Sequence, residues 1–249
     1  MRLHGCGRKR MKPARNEEPW RATNAGTVQG NQSFLRHLHS NQRFCIKVQD
    51  LFFAGLFFCP EILYNFFIML KTIKPELLTD NAFKMIGKDW MLISACTKKY
   101  DEEGKIITGR PNTMTASWGG IGVLWNKNVA TIYLRPTRYT KEIIDSTDSF
   151  SLSVLPQKYK TALDYCGSHS GRDEDKFQKT KLEVDYMNGT PWIKQARIVI
   201  FCNKLYAQEF DPNCFADERI CNQNYRKNDF HTMYIGEITK VMVESRDIK

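Results

Sequence analysis

A mainly-β domain with α additions, closed into a barrel, is the fold class this sequence predicts. Three observations carry it. Residues 149–154 alternate strictly, with Phe150, Leu152 and Val154 on one side and Ser149, Ser151 and Ser153 on the other, as a strand with one buried face requires. Short apolar runs bounded by turn residues recur at 90–96, 113–118, 129–134, 196–206 and 233–243. No regular helix separates one run from the next, so a doubly wound parallel sheet is disfavoured.

Taken in order, residues 75–86 space Leu77, Leu78, Ala82, Met85 and Ile86 for a short amphipathic helix. Residues 90–96 are apolar between charges and read as a buried strand. Residues 98–111, rich in charge and glycine, read as a loop. A strand over 113–118 runs into Gly119-Gly120, and these with Gly122 suit a tight turn. After the 129–134 strand, Thr140 is placed to cap a helix through Ser146, with Tyr139, Ile143 and Ile144 on one side. Residues 158–165 suit a second short helix. The segment 212–224 is a charged excursion with helical character between the last two strands.

The 249 residues divide by composition. Residues 1–68 hold ten Lys/Arg against four Asp/Glu and show no sustained period, whereas residues 69–249 hold 27 against 23. Most of the basic excess therefore lies in the leader. The apolar run at 51–70 has the length of a membrane span, yet Pro60, Glu61 and Asn65 interrupt it, and a mid-bilayer carboxylate costs roughly 2.5–3.5 kcal/mol. The expectation is an upstream extension over 1–68, translation starting at Met69, and no membrane partner. No basic stripe with interleaved aromatics supports a nucleic-acid partner. Eight cysteines form no CxxC pair and lack a zinc-spaced His, so they read as thiols of a reducing, cytoplasmic compartment rather than a metal site.

The chemistry-bearing stretch is 109–145. Asn112-Thr-Met-Thr-Ala-Ser-Trp-Gly-Gly is rich in small hydroxyls, and Arg135-Pro-Thr-Arg-Tyr-Thr sets two arginines before a helix start, where free N–H groups favour an anion. Arg135, Arg138, Tyr139 and Thr140 together suit a phosphate. On the residues alone, Arg138 fits a solvated helix turn equally well. Only one alternating set of the 113–118 strand, Met114, Ala116 and Trp118 or Thr113, Thr115 and Ser117, can face a ligand through side chains. The GGxG of 119–122 lacks dinucleotide-fold spacing.

These two blocks, with Cys166-Gly-Ser-His-Ser-Gly-Arg-Asp-Glu-Asp-Lys-Phe and the late His231-Thr-Met-Tyr-Ile-Gly-Glu-Ile, resemble the flavin reductase-like, flavoredoxin-type FMN-binding split-barrel family from about Leu77 onward. The resemblance implies a Greek-key split β-barrel that dimerises, with FMN near the subunit interface and NAD(P)H as electron donor. It implies cofactor contacts from Thr115 and Ser117 through hydroxyls, from Asn112 and Ala116 through backbone, and along the same strand from Met114 and Trp118. It assigns Arg135 and Arg138, with Tyr139 and Thr140, to phosphate. Gly167, Ser168, Ser170, Gly171 and Lys176 belong to a loop closing over flavin and nucleotide. His231 is implied near the cofactor as the catalytic candidate, and a structural strand-start His accounts for it equally. The implied activity is NAD(P)H-dependent flavin reduction with electrons passed to a small-molecule or protein acceptor. A flavoredoxin-like carrier without NAD(P)H turnover is the alternative.

Overall fold

The computed structural model describes residues 70–245. The expectations for 1–68, including the extension and the start at Met69, lie outside the described residues. Three of the twelve described strands enter early: β1 (Leu70–Ile73), β2 (Met91–Ala95) and β3 (Lys98–Tyr100). Next come β4 (Ile106–Thr108), β5 (Asn112–Ala116), β6 (Gly119–Leu124) and β7 (Lys127–Leu134). The later strands are β8 (Ser149–Val154), β9 (Val184–Met187), β10 (Thr190–Ile193), β11 (Ile198–Glu209) and β12 (Thr232–Glu244). The helices are α1 (Ala82–Lys84, running into a π turn at Met85–Asp89), α2 (Tyr139–Asp145), α3 (Lys160–Ser168), α4 (Lys176–Thr180) and α5 (Glu218–Asn224).

The main sheet is antiparallel, ordered β5-β2-β8-β11-β12-β7-β6, with β1 also on β12. Its terminal strands are consecutive in sequence and joined only by Ser117 and Trp118. Three Cα steps of 3.8 Å reach at most about 11 Å, so the sheet must curl until its two edges meet at this link. That is the barrel, and the seam between β5 and β6 is its split. Register shifts between Phe201 and Cys202 and between Lys204 and Tyr206 help bend β11 around it.

Met114, Ala116, Ile132, Leu134, Phe150, Leu152, Val154, Ile200 and Tyr234 fill the barrel. A second cluster lies outside it, where Leu163 and Cys166 of α3 and Ile193 of β10 cover Leu92, Val199 and Phe201.

Several expectations change. All six residues of β8 are buried, not one face. The β9–β10 hairpin covers its serines: Ser151 donates to the Pro191 carbonyl at 2.6 Å and Ser153 accepts from the Ile193 N–H at 3.3 Å. The 75–86 helix is broken, because only a 3₁₀ turn forms at Pro75–Leu77 before Asn81 caps α1 by accepting from the Lys84 N–H. The loop over 98–111 contains the β3–β4 hairpin. The glycines at 119, 120 and 122 do not turn but lie in β6, paired to β7. The α2 N-cap is Arg138; Thr140 sits inside the helix, buried. No helix among the described residues is long and apolar enough to cross a membrane.

Candidate active site

At the seam, a cleft runs from the end of β5 past the start of α2. Its wide part, about 250 Å³, is lined by residues 114–118 together with Tyr133, Arg135, Arg138 and His231. A narrower recess of about 80 Å³ meets it at Met114 and Arg138, bounded by Asn112, Thr137, Tyr139 and Thr140 on one side and Ser168, His169, Ser170, Gly171 and Lys176 on the other. No carboxylate among the described residues lines either part. Such a set suits an anion at the narrow end, because cations and hydroxyls line it with no opposing charge among the described residues.

Local chemistry builds the recess. The Asn112 side chain, buried, donates from Nδ2 to Thr140 Oγ1 at 2.9 Å, tying β5 to α2. Gly171 comes so close to Asn112 that a Cβ there would lie 2.0 Å from its Oδ1. Arg172 holds the same loop on α2: it pairs with Glu142, donates to the Thr137 carbonyl at 3.4 Å and stacks on Tyr139 at 5.2 Å. Lys176 Nζ donates to the Thr113 and Cys166 carbonyls at 2.9 and 2.8 Å. Burial, with Arg138 adding repulsion, lowers its pKa. Burial also pushes the Cys166 thiol up to about 11, which leaves it protonated and unsuited to nucleophilic work.

At the wide end, Arg135 pairs with Asp229 at 2.7 Å, donates to the Asn224 carbonyl at 2.9 Å and lies over the Tyr225 ring. Tyr225 Oη and His231 Nδ1 are 2.8 Å apart, and the Trp118 ring sits 5.2 Å from the imidazole. Burial first, then Arg135, depresses the His231 pKa to about 4. Burial likewise raises that of Tyr225. With the imidazole unprotonated, one hydrogen joins the pair: either the phenol donates to Nδ1 and the imidazole hydrogen sits on Nε2, or Nδ1–H donates to the phenol oxygen.

The flavin reductase like domain model matches residues 90–249. The chain belongs to the flavin reductase like family. Among solved structures, an FMN-binding domain of a flavin reductases-like enzyme from Shewanella baltica OS155 is 17% identical, covering 72% of this chain and 79% of that one at a TM-score of 0.50. Flavoredoxin from Methanosarcina acetivorans is 23% identical, with 63% and 69% covered at 0.46. Flavoredoxin of Desulfovibrio vulgaris is also 23% identical, with 70% and 78% covered at 0.46. No curated protein matches significantly.

Within this flavin reductase like domain, fifteen of the sixteen residues singled out from sequence line the cleft or its recess. Gly167 lines neither, but its carbonyl accepts from Arg138 at 3.1 Å. Several of these positions carry bonds of their own within the protein. The Asn112 side chain is bonded to Thr140. The Thr115 hydroxyl donates to the Leu163 carbonyl of α3, so its hydrogen is turned from the cleft. Arg135 does not reach the recess, since Asp229 holds it at the wide end. Gly167, Ser168 and Lys176 are not in a loop: the first two end α3, where Ser168 donates to the Asp164 carbonyl, and Lys176 begins α4. Tyr133, Thr137, Tyr225 and Asp229 were missed. Tyr133 lies in a predicted strand, on the face opposite Ile132 and Leu134, a position that alternation could have given.

The His231 shift has a consequence for stability. The folded protein keeps this imidazole neutral down to about pH 4, while the unfolded chain takes up its proton below about 6.5. The stability contribution is therefore complete above pH 6.5 and falls as the pH drops toward 4, by on the order of 3 kcal/mol. Urea unfolding at pH 7 and pH 5 should show about 2 kcal/mol of this loss in the wild type and a smaller one in His231→Asn, whose amide can keep the Tyr225 bond. Equal losses in both proteins would assign the acid sensitivity elsewhere.

Proposed function

We propose that the chain binds FMN in this cleft, takes reducing equivalents from NAD(P)H and passes them to an acceptor. The observation that carries the reading is the cleft's division: a cationic, hydroxyl-lined recess, without carboxylates among the described residues, opening onto a wider part walled by a β-edge and Trp118. A phosphate and a flat ring have those two needs. FMN, when bound, supplies the two-electron redox chemistry.

The chain's own groups bind and orient. Arg138, shared by both parts, meets the phosphate, with Thr140, Ser170 and the Gly171 backbone around it. Met114, Ala116, Ser117 and Trp118 flank the ring. His231, neutral, stands at the wide end; Tyr225 and Asp229 position it and Arg135. Gly171 lets its loop pack directly against Asn112 at the wall of the recess, where any side chain would strike that residue.

The same reading makes the protein a cytoplasmic homodimer. Supporting the dimer, the terminal strand β6 and its turn leave Val123, Leu124 and Trp125 exposed at 74%, 38% and 56%. The free buried thiols Cys96, Cys166 and Cys202 are those a reducing compartment keeps.

Purified full-length protein should be yellow or turn yellow with FMN, and should oxidise NAD(P)H. A colourless protein that gives no heat on FMN titration rejects the reading, while a flavin-loaded protein with no NAD(P)H turnover identifies a carrier. Arg138→Ala should weaken FMN binding by about ten- to a hundredfold, the worth of one or two charge-assisted hydrogen bonds. Arg138→Lys should recover only part of it. Unchanged affinity in Arg138→Ala would move the phosphate to another part of the molecule.

A further inference from the structure

Beside the cleft lies a larger cavity of about 760 Å³, within the roughly 300–1,000 Å³ of small-molecule sites. It shares Ser117, Trp118 and Tyr133 with the wide part of the cleft, so an occupant of one borders an occupant of the other. Phe83 of α1 and Phe215, Ile220 and Tyr225 of the β11–β12 excursion form its other walls. No charged side chain among the described residues lines it. Arg135, which lies over the Tyr225 ring, is not among the cavity's lining residues and is already paired with Asp229.

We propose that this cavity takes the electron acceptor, and that the acceptor is a flat, uncharged, conjugated dicarbonyl of the quinone class. This rests on the FMN reading above and adds to it the identity of the molecule reduced. Charge selects this class of acceptor. A dinucleotide brings two phosphates, free FMN one, and a ferric chelate several carboxylates. Each would lose its hydration against walls that offer no cation in return. An uncharged ring system loses little and gains offset or edge contacts with Trp118, Tyr133 and Phe215. The Ser117 hydroxyl on the shared wall provides a polar group for a carbonyl oxygen.

The quinone gains two electrons and two protons and becomes the hydroquinone. Both electrons and one proton arrive as hydride from a reduced nicotinamide by way of bound FMN, which ends oxidised as it began. Solvent water supplies the second proton, and the nicotinamide leaves oxidised.

The test uses full-length protein, with and without FMN, titrated calorimetrically with 2-methyl-1,4-naphthoquinone in the absence of any reductant. Ile220 and Phe83 are 49% and 89% exposed, so a carboxylate at either rim position leaves the core intact. Ile220→Glu and Phe83→Glu should each weaken quinone binding about tenfold or more and raise the quinone KM alike. FMN affinity should not change. Saturable binding to the wild type with that loss in the variants supports the proposal. Three results overturn it: no binding to FMN-loaded protein, binding indifferent to both substitutions, or a dimer that Ile220→Glu splits while quinone affinity holds, which would make the cavity a subunit contact. Failure to bind FMN is a separate result. It sinks the underlying reading and the acceptor role with it, whereas quinone binding by the FMN-free protein would leave only the site.

Discussion

Gly171→Ala should abolish retention of FMN through purification and raise its Kd by about a hundredfold, close to 3 kcal/mol. The added methyl would lie 2.0 Å from Asn112 Oδ1 and 2.8 Å from its Cγ. Asn112 cannot swing aside freely, because its Nδ2 is bonded to Thr140 and the residue is buried between β5 and α2. Either that bond breaks or the loop carrying Ser170 lifts from the recess, and both outcomes scatter the groups around the phosphate. Asn112→Ala removes the clashing atoms. In the double variant the added cost of Gly171→Ala to stability should therefore shrink, while FMN binding stays weak, a coupling expected only of residues in contact. Calorimetric FMN titration of the single and double variants reads both effects. Wild-type affinity in Gly171→Ala would show that the loop is not part of the site.

Gly236→Ala should cost about 2–3 kcal/mol of folding stability and leave FMN affinity unchanged at low temperature. Gly236 lies in β12, opposite Lys204 and Ala130, beside the β11 irregularity. A Cβ would meet Phe150 Cζ at 2.7 Å and Cys202 Cβ at 2.8 Å. Phe150 is fully buried and Cys202 nearly so, so neither has solvent to move into. Urea unfolding measures the cost, and Phe150→Leu in the same chain should return part of it by shortening the ring that is struck. A loss under 0.5 kcal/mol would mean that the barrel interior yields more readily than native packing does.

The β5 and α2 sides of the site were legible because their chemistry is local. Hydroxyls, two arginines and a helix start lie within thirty residues and need no distant partner to be noticed. The role of Arg135 was not legible in the same way. Its acceptor, Asp229, is 94 residues away, and nothing in Arg135-Pro-Thr-Arg marks one arginine as paired and the other as shared between the cleft and its recess. The β8 serines fail for a different reason. A serine every second residue suits a wet face, but it also suits a face roofed by another hairpin, because the small hydroxyl finds a carbonyl in either case. The barrel itself was suggested by the number of strands and made definite by the family resemblance. Its closure depends on which strands end the sheet, a property of pairing and not of any one segment.

The two-residue bridge of Ser117 and Trp118 has one more effect. It is the shortest route between opposite rims of the sheet, and both the cleft and the aromatic cavity are built on it. A molecule lodged there touches β5 on one hand and β6 on the other, and so works as a rivet across the slit. Thermal opening of that slit must first expel it, so bound ligand raises resistance to heat in proportion to the logarithm of its concentration.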